Sequence, residues 1–374
     1  GEDNLIFVAQ ERSSLVAIYQ DNGDTPEYLQ SIASGIGPEG SVAIPERNLF
    51  VTANENDLRA DGLAGSHVMI YERAEGEAGY PQLVSDDDAD GVPFGWAAIS
   101  GAVADSEKPG TLYAVSDSVL SGAPAIYTID ATAKPARITA RTVVTRNGMA
   151  AQKLDLEGIT QDGEGGFWLA SEGDTGELTP HALFHVDADG EIEAEIPFPA
   201  ELLSSEIRSG AEGIAMVDGT LWIAIQREWK DDEKGSVKLV SYNPETEEWG
   251  AVLDPLETAA EGAWVGLSEI TAHGDYVYLI ERDNQLADKA ELKQITRVPV
   301  SELEPAELGG DLPLVSKEVV RDLIPDLATN KGYVVDKVES LAIDAEGNGF
   351  VITDNDGVDD SSGETFFWSI GSIQ

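Results

Sequence analysis

The sequence predicts an all-β protein, a β-propeller of seven blades with six as the alternative count. Two repeated phrases and their spacing carry that prediction. The first phrase is an aromatic or large apolar residue, three small or β-branched residues, then a closing polar one. It occurs seven times: Phe7 to Glu11, Phe50 to Asn54, Tyr113 to Asp117, Trp168 to Glu172, Trp222 to Gln226, Tyr278 to Arg282 and Phe350 to Asp354. Six copies follow a second phrase that opens on a carboxylate or small polar residue and turns apolar, starting at Glu39, Ser100, Glu157, Glu212, Ser268 and Glu339. Those starts are 61, 57, 55, 56 and 71 residues apart, the scale of a four-stranded blade with generous loops.

The other elements follow in order. Each first-phrase strand is followed by a polar loop and a β-rich run: Leu15 to Tyr19, His67 to Tyr71, Ala125 to Ile129, Ala182 to Val186, Val237 to Tyr242, Gln294 to Val298 and Phe366 to Ile370. These read as third strands. Outer, solvent-facing strands fit Glu27 to Ile32, Arg137 to Val143, Glu191 to Pro197 and Lys317 to Leu323. Three strands precede the first Glu-Gly phrase and three end the chain, so the terminal blades are incomplete or share strands across the seam. Ala200 to Arg208 and Val319 to Leu327 suit short helical turns, and Glu228 to Gly235 a charged hairpin tip. The repeat spans the chain, so residues 1–374 read as a single propeller domain.

Composition limits the function. With 42% hydrophobic residues the chain can bury a large core, yet it has no apolar run long enough to insert in a membrane. Seventy acidic residues against 23 basic ones give a net charge of −47, which repels nucleic acid and makes divalent cations the natural counterions. The same acidity suits a salty habitat, where repulsion is screened. There is no cysteine, hence no thiol nucleophile or thiolate metal site. Acidity and fold suit an exported protein, periplasmic or extracellular, while the opening Gly1-Glu2-Asp3-Asn4 fits a mature secreted form and a trimmed chain equally; a monomer is expected.

The site follows from the topology. In a propeller the first strand of each blade lines the channel and the second runs antiparallel to it, so the start of one and the end of the other share one end of the barrel. That gathers Glu39, Glu157, Glu212, Glu269 and Glu339 with Glu11, Asn54, Asp117, Glu172, Gln226, Glu281 and Asp354. Crowded carboxylates oppose one another's ionisation unless a cation or protons intervene. Oxygen-only donors point to Ca²⁺, with Mg²⁺ as the alternative. The metal candidates are Glu39, Glu157, Glu172, Glu212, Glu269, Glu281, Glu339 and Asp354. The alternative is that the Glu-Gly phrase caps a strand and the acids stay hydrated. Asp86-Asp-Asp88-Ala-Asp90-Gly91 is a partial calcium-loop match with alanine at position 97 where a closing Glu would stand. Asp187-Ala-Asp189-Gly190 and Asp354-Asn-Asp356-Gly357 fit hairpin turns better. No Gly-x-Ser-x-Gly elbow or phosphate-cradling loop is present, and His67, His181, His185 and His273 are scattered. Basic residues near the mouth are few: Arg227, Arg282, Lys331 and Lys337. Arg282 is the candidate anion clamp, and an ion pair with a neighbouring acid is its alternative.

Several segments together resemble a known family: Ala98-Ile-Ser-Gly-Ala-Val-Ala with Leu112-Tyr-Ala-Val-Ser-Asp117, Asp155-Leu-Glu-Gly-Ile-Thr with Gly166-Phe-Trp-Leu-Ala-Ser-Glu172, Leu279-Ile-Glu-Arg-Asp283, and Lys337-Val-Glu-Ser-Leu-Ala with Asp354-Asn-Asp356. They are similar to the bacterial phytase-like family described as having esterase-like activity of phytase, over roughly residues 96 to 371. The first 95 residues match less well and look like additional propeller blade. The resemblance implies an exported propeller, a hydrolase of phosphoric or carboxylic esters, and calcium. The chain lacks the lysine- and arginine-rich pocket of a propeller phytase. The first functional expectation is a calcium-dependent phosphoesterase acting on a small phosphorylated or ester substrate, with Glu157 and Glu172 as catalytic carboxylates, Glu339 as a further general-base candidate, and Arg282 orienting the anion. The second is a non-catalytic, metal-stabilised propeller that binds a glycan, a protein or a surface.

Overall fold

The computed structural model describes residues 4–61, 65–76, 80, 82–174, 179–330, 334–356 and 365–373. Its strands fall into seven blade-like sheets and one small hairpin. The first sheet holds β1 (Leu5–Gln10), β2 (Leu15–Gln20) and β3 (Glu27–Ala33). The second holds β4 (Pro38–Ile44), β5 (Leu49–Asn54) and β6 (His67–Glu72). In the third, β7 (Leu83–Ser85) runs parallel to the outer edge of a four-strand set of β8 (Ile99–Ala104), β9 (Thr111–Ser116), β10 (Ala125–Asp130) and β11 (Ala136–Val143). The hairpin pairs β12 (Thr145–Arg146) with β13 (Met149–Ala150). The fourth sheet holds β14 (Leu156–Gln161), β15 (Phe167–Ser171), β16 (Ala182–Val186) and β17 (Ile192–Pro197). The fifth holds β18 (Ala211–Val217), β19 (Thr220–Ile225), β20 (Ser236–Asn243) and β21 (Glu248–Pro255). The sixth comprises β22 (Val265–His273), β23 (Tyr276–Asp283), β24 (Lys293–Pro299) and β25 (Glu318–Asp322), and the seventh β26 (Val338–Ile343), β27 (Asn348–Thr353) and β28 (Phe367–Ser372). Helix is confined to single turns such as Ala200–Leu203 and Ile324–Leu327; Val319 to Asp322, expected to turn, belongs to β25 instead. None of the described helices is long and apolar enough to cross a membrane.

The seven repeats do yield seven sheets, but the closed ring counts five blades, not seven or six. Inner strands β8, β14, β18, β22 and β26 pack on one another in order, and β26 returns to β8. Across the last two seams, Ser268 Oγ donates to Val338 O at 2.7 Å and Ala98 N to Asn355 Oδ1 at 2.9 Å. The apolar core lies between successive blades, with Val115 and Leu156 at one seam and Trp222 and Leu267 at another. None of these core clusters includes a buried residue of β1–β6.

The repeated phrase has a local structural meaning: every start is a β-bulge. Pairing skips one residue between Pro38 and Gly40, Ile99 and Gly101, Leu156 and Gly158, Ala211 and Gly213, Leu267 and Glu269, and Val338 and Ser340. The skipped residues are therefore Glu39, Ser100, Glu157, Glu212, Ser268 and Glu339, re-aimed as bulges do. The glycine that follows allows close approach inside the ring. A Cβ at Gly101 would lie 2.4 Å from Glu157 O, one at Gly158 2.8 Å from Ile214 N, and one at Gly213 2.5 Å from Ile270 N. Glu269 stands where the other blades have glycine or serine, and its side chain fills the channel. One oxygen accepts from Ala102 N at 3.2 Å and the other from Ile270 N at 2.9 Å.

The first two sheets lie outside the ring. They pack on each other through stacked Phe7 and Phe50, ring centres 4.1 Å apart. The opposite face of the second sheet stays open, with Val42, Val68 and Ile70 exposed by 54%, 59% and 68%. Since a Cβ at Gly40 would meet only Ala53 Cβ at 3.6 Å, one phrase gives two outcomes. Gly158→Ala should lower stability by about 2 kcal/mol or more, because only backbone stands in its way. Gly40→Ala should stay within about 0.5 kcal/mol. Urea midpoints read both, and equal losses would contradict a five-blade closure.

Candidate functional site

The bulges of blades β14–β17, β18–β21 and β26–β28 bring Glu157, Glu212 and Glu339 to one mouth, where the second strands also end. Asp117, Glu172, Gln226, Arg282 and Asp354 follow or close those strands at the same level. Two acidic triads result. Asp155, Glu157 and Glu172 each bring one oxygen within 4.8 Å of the others, and so do Asp117, Asp354 and Asp356. Lys337 pairs with both Asp354, at 3.3 Å, and Asp356, so the second triad already holds a cation. No lysine or arginine among the described residues pairs with the first. Its acids are held from the backbone: Ser118 N donates to Asp155 Oδ1 at 2.8 Å and Gly210 N to Glu172 Oε1 at 2.7 Å. His181 braces that turn, its Nδ1 accepting from Gly173 N and its Nε2 bonded to Glu206.

Crowding and burial hold protons on this mouth. Burial, then Glu212, Asp155 and Glu172, push Glu157 well above the usual carboxyl range. Burial and the charges of Glu172 and Glu339 do the same to Glu212. Asp155 and Glu172 are raised chiefly by burial. Asp117 is pushed up to about 7 by burial with Asp155 and Asp356 adding to it, and Asp354 to about 8 despite Lys337.

The structure brings some of the expected residues together and disperses others. Glu157 and Glu172 are neighbours, Glu212 and Glu339 adjoin them, and Asp354 is bound by Lys337. Glu269 is only 1% exposed and sits in the channel rather than at its mouth. Glu281 corrects the expected set: one residue of register puts it on the opposite face from Arg282, where it binds Lys317 at 2.8 Å and Gln294 at 2.9 Å. Glu39 also leaves the set, because its sheet lies outside the ring; it clusters with Glu11 and Glu55, all exposed. Arg282 is an ion-paired residue, held by Glu339 at 2.5 Å and Asp336 at 3.3 Å, so it is not free to clamp an anion. Asp86 pairs with Arg137, and Asp88 caps Asp90 N and Val92 N as a turn does. Lys331 and Gly357 lie outside the described residues. Sequence reasoning did not assign Asp155, although it stands two residues before the Glu157 bulge. It also gave no role to Arg208, whose charge reaches Asp155 and Glu172, or to Trp264, which both Arg227 and Arg282 approach.

A family model described as phytase-like, with esterase-like activity of phytase, matches residues 94–357. The chain belongs to that family. The match leaves out β1–β6 and takes in all five inner strands of the ring, β8 to β26. No curated protein sequence matches significantly. Among solved structures, the chain is similar to a luciferin-regenerating enzyme at 12% identity and a TM-score of 0.39, covering 89% of this chain and 90% of that one. It is also similar to hydrazine synthase of Kuenenia stuttgartiensis, at 12% identity, 99% and 92% coverage and a TM-score of 0.39. The major Malassezia sympodialis allergen Mala s 1 gives 12%, 99% and 96%, and 0.40. Likenesses this remote say nothing about chemistry.

The raised carboxyl groups set a pH dependence. A carboxyl whose folded value lies above its unfolded one binds protons preferentially in the folded state, so stability falls as pH rises through that window. With Asp117 at about 7 and Asp354 at about 8, the urea midpoint in chelator should drop between pH 5 and pH 8. Asp117→Asn keeps the acceptor for Val119 N and should flatten the drop. A midpoint that climbs over that range would contradict the crowded mouth.

Proposed function

We propose that the mouth is the active site of a calcium-dependent phosphoric-ester hydrolase, phosphatase-like or phytase-like, acting on a small phosphorylated substrate. The observation that supports it most is the triad of Asp155, Glu157 and Glu172, oxygen-only and within 4.8 Å, with none of the described cations paired to it. Such donors suit Ca²⁺ first, while Mg²⁺ asks for stricter octahedral geometry and keeps more water. Bound there, the ion would neutralise phosphoryl oxygens and acidify an attacking water.

The chain's own groups do the rest. Asp155 and Glu172 are fixed through one oxygen each by a backbone N–H, and the Glu157 bulge supplies the third carboxylate. Asp117, on the next blade and close enough for its charge to act on Glu157, has one oxygen on Val119 N and is placed to accept the proton of the water. Glu339 is withdrawn from that role by Arg282. The same reading places the protein as a monomer in an extracytoplasmic, salty compartment, where calcium near about 10⁻³ M fills carboxylate sites of modest affinity.

One observation favours a second reading, a non-catalytic propeller whose metal is structural and which binds a glycan, a protein or a surface. It is the open apolar face of β4–β6. The two readings separate in one assay. Release of phosphate from a generic aryl phosphate should require calcium and stop with chelator. Glu157→Gln should lower kcat by about 100-fold or more with the unfolding midpoint kept. No release above buffer, beside a phosphatase active in the same assay, sinks the hydrolase. A melting temperature that falls in chelator without any turnover then supports the second reading.

A further inference from the structure

Most cations around the mouth answer to its acids, Arg208 through the charge that reaches Asp155 and Glu172 and the others as ion pairs. Arg282 sits on Glu339 and Asp336, Lys337 on Asp354 and Asp356, and Lys293 on Asp283. Arg227 differs. It shares the Trp264 ring with Arg282, whose partner is Glu339, and so stands beside the acidic wall. Its stem lies against Gly266, where a Cβ would come 3.3 Å from Arg227 Cγ. Its guanidinium stands 4.7 Å from the centre of the Trp264 ring. Nε is enclosed without a partner, and none of its N–H groups bonds a described residue. In a chain with 70 carboxylates against 23 lysines and arginines, an unpaired arginine beside a carboxylate cluster is an anomaly that the indole explains. Stacked on the ring, the guanidinium is held by the π face and kept from folding back onto the acids.

We infer that Arg227, backed by Trp264, is the mouth's receptor for the phosphoryl oxygens of the substrate. A guanidinium presents a planar fork that fits a phosphate by two parallel hydrogen bonds. The surrounding charge repels anions, so a phosphorylated ligand needs a local cation besides the metal. Arg227 can serve because nothing in the protein has claimed it. The assignment rests on reading this mouth as a phosphoester site, and it moves the anion-binding role from Arg282 to Arg227.

Phenylphosphonate, which resists hydrolysis, separates the two ideas. Titrated calorimetrically into the full chain with calcium, it should bind at least ten-fold more weakly to Arg227→Gln than to the native chain, and Arg227→Lys should recover part of the loss. On the native chain, saturating phenylphosphonate should protect Arg227, but not Arg146, from phenylglyoxal, read by mass spectrometry. This arm needs no variant to fold. Equal affinity for Arg227→Gln, unprotected Arg227, or no saturable binding to the native chain overturns the assignment. Binding that depends on Arg227 without any phosphate release keeps the receptor and removes the hydrolase. Phosphate release that is indifferent to Arg227→Gln does the reverse.

Discussion

Everything in the ring depends on how closely five inner strands approach one another at a single level. At Gly101, Gly158 and Gly213 the neighbouring strand lies where a Cβ would sit, and only glycine tolerates that contact with backbone. The bulge before each position is the other half of the device. It absorbs one residue, so that the chain can tighten inward while a side chain is turned toward the mouth. Structure and site therefore share a cause: at Glu157-Gly158 and Glu212-Gly213 the glycine closes the ring and the glutamate lines the mouth. Glu269 completes the level, a carboxyl in the channel held by N–H groups of its own and other strands.

The consequence is electrostatic. Closing a five-blade ring pulls acids from separate blades within a few ångströms, in a protein whose charge is already −47. Coulomb repulsion at such distances, under partial burial, exceeds what water alone can screen. Three responses are visible side by side. Protons remain on Glu157, Glu212 and Asp354 beyond their ordinary range. Lys337 and Arg282 bind part of the crowd. No ammonium or guanidinium among the described residues pairs with the Asp155, Glu157 and Glu172 triad, which only the more distant charges of Arg208 and Lys337 reach, and that is why it is the place proposed for an external cation.

The local part of this was legible in the sequence. Strand after strand coincides with its repeated phrase, because an aromatic followed by small and β-branched residues states both the period and the packed face. Ring closure was not legible. Glu39-Gly40 has the same wording as Glu157-Gly158 and forms the same bulge, yet Gly40 meets no neighbouring backbone. A bulge is decided within one hairpin, whereas closure depends on which faces find partners across hundreds of residues. The same limit explains Glu281 and Arg282. Period two puts adjacent residues on opposite faces, so only one of them could reach the mouth.

Arg282 and Arg227 also show why residue type alone misplaces an anion site. Both stand near the end of a second strand, both lie against Trp264, and the sequence gives Arg282 the more conspicuous setting, between Glu281 and Asp283. That setting is its disadvantage. An arginine whose surroundings supply carboxylates at 2.5 and 3.3 Å has spent its fork, and freeing it would strand a buried acid at a cost larger than one new contact returns. Arg227 gains less from the protein and so has more to offer a ligand. In a strongly acidic molecule, the informative cation is the one the fold has kept apart from the acids.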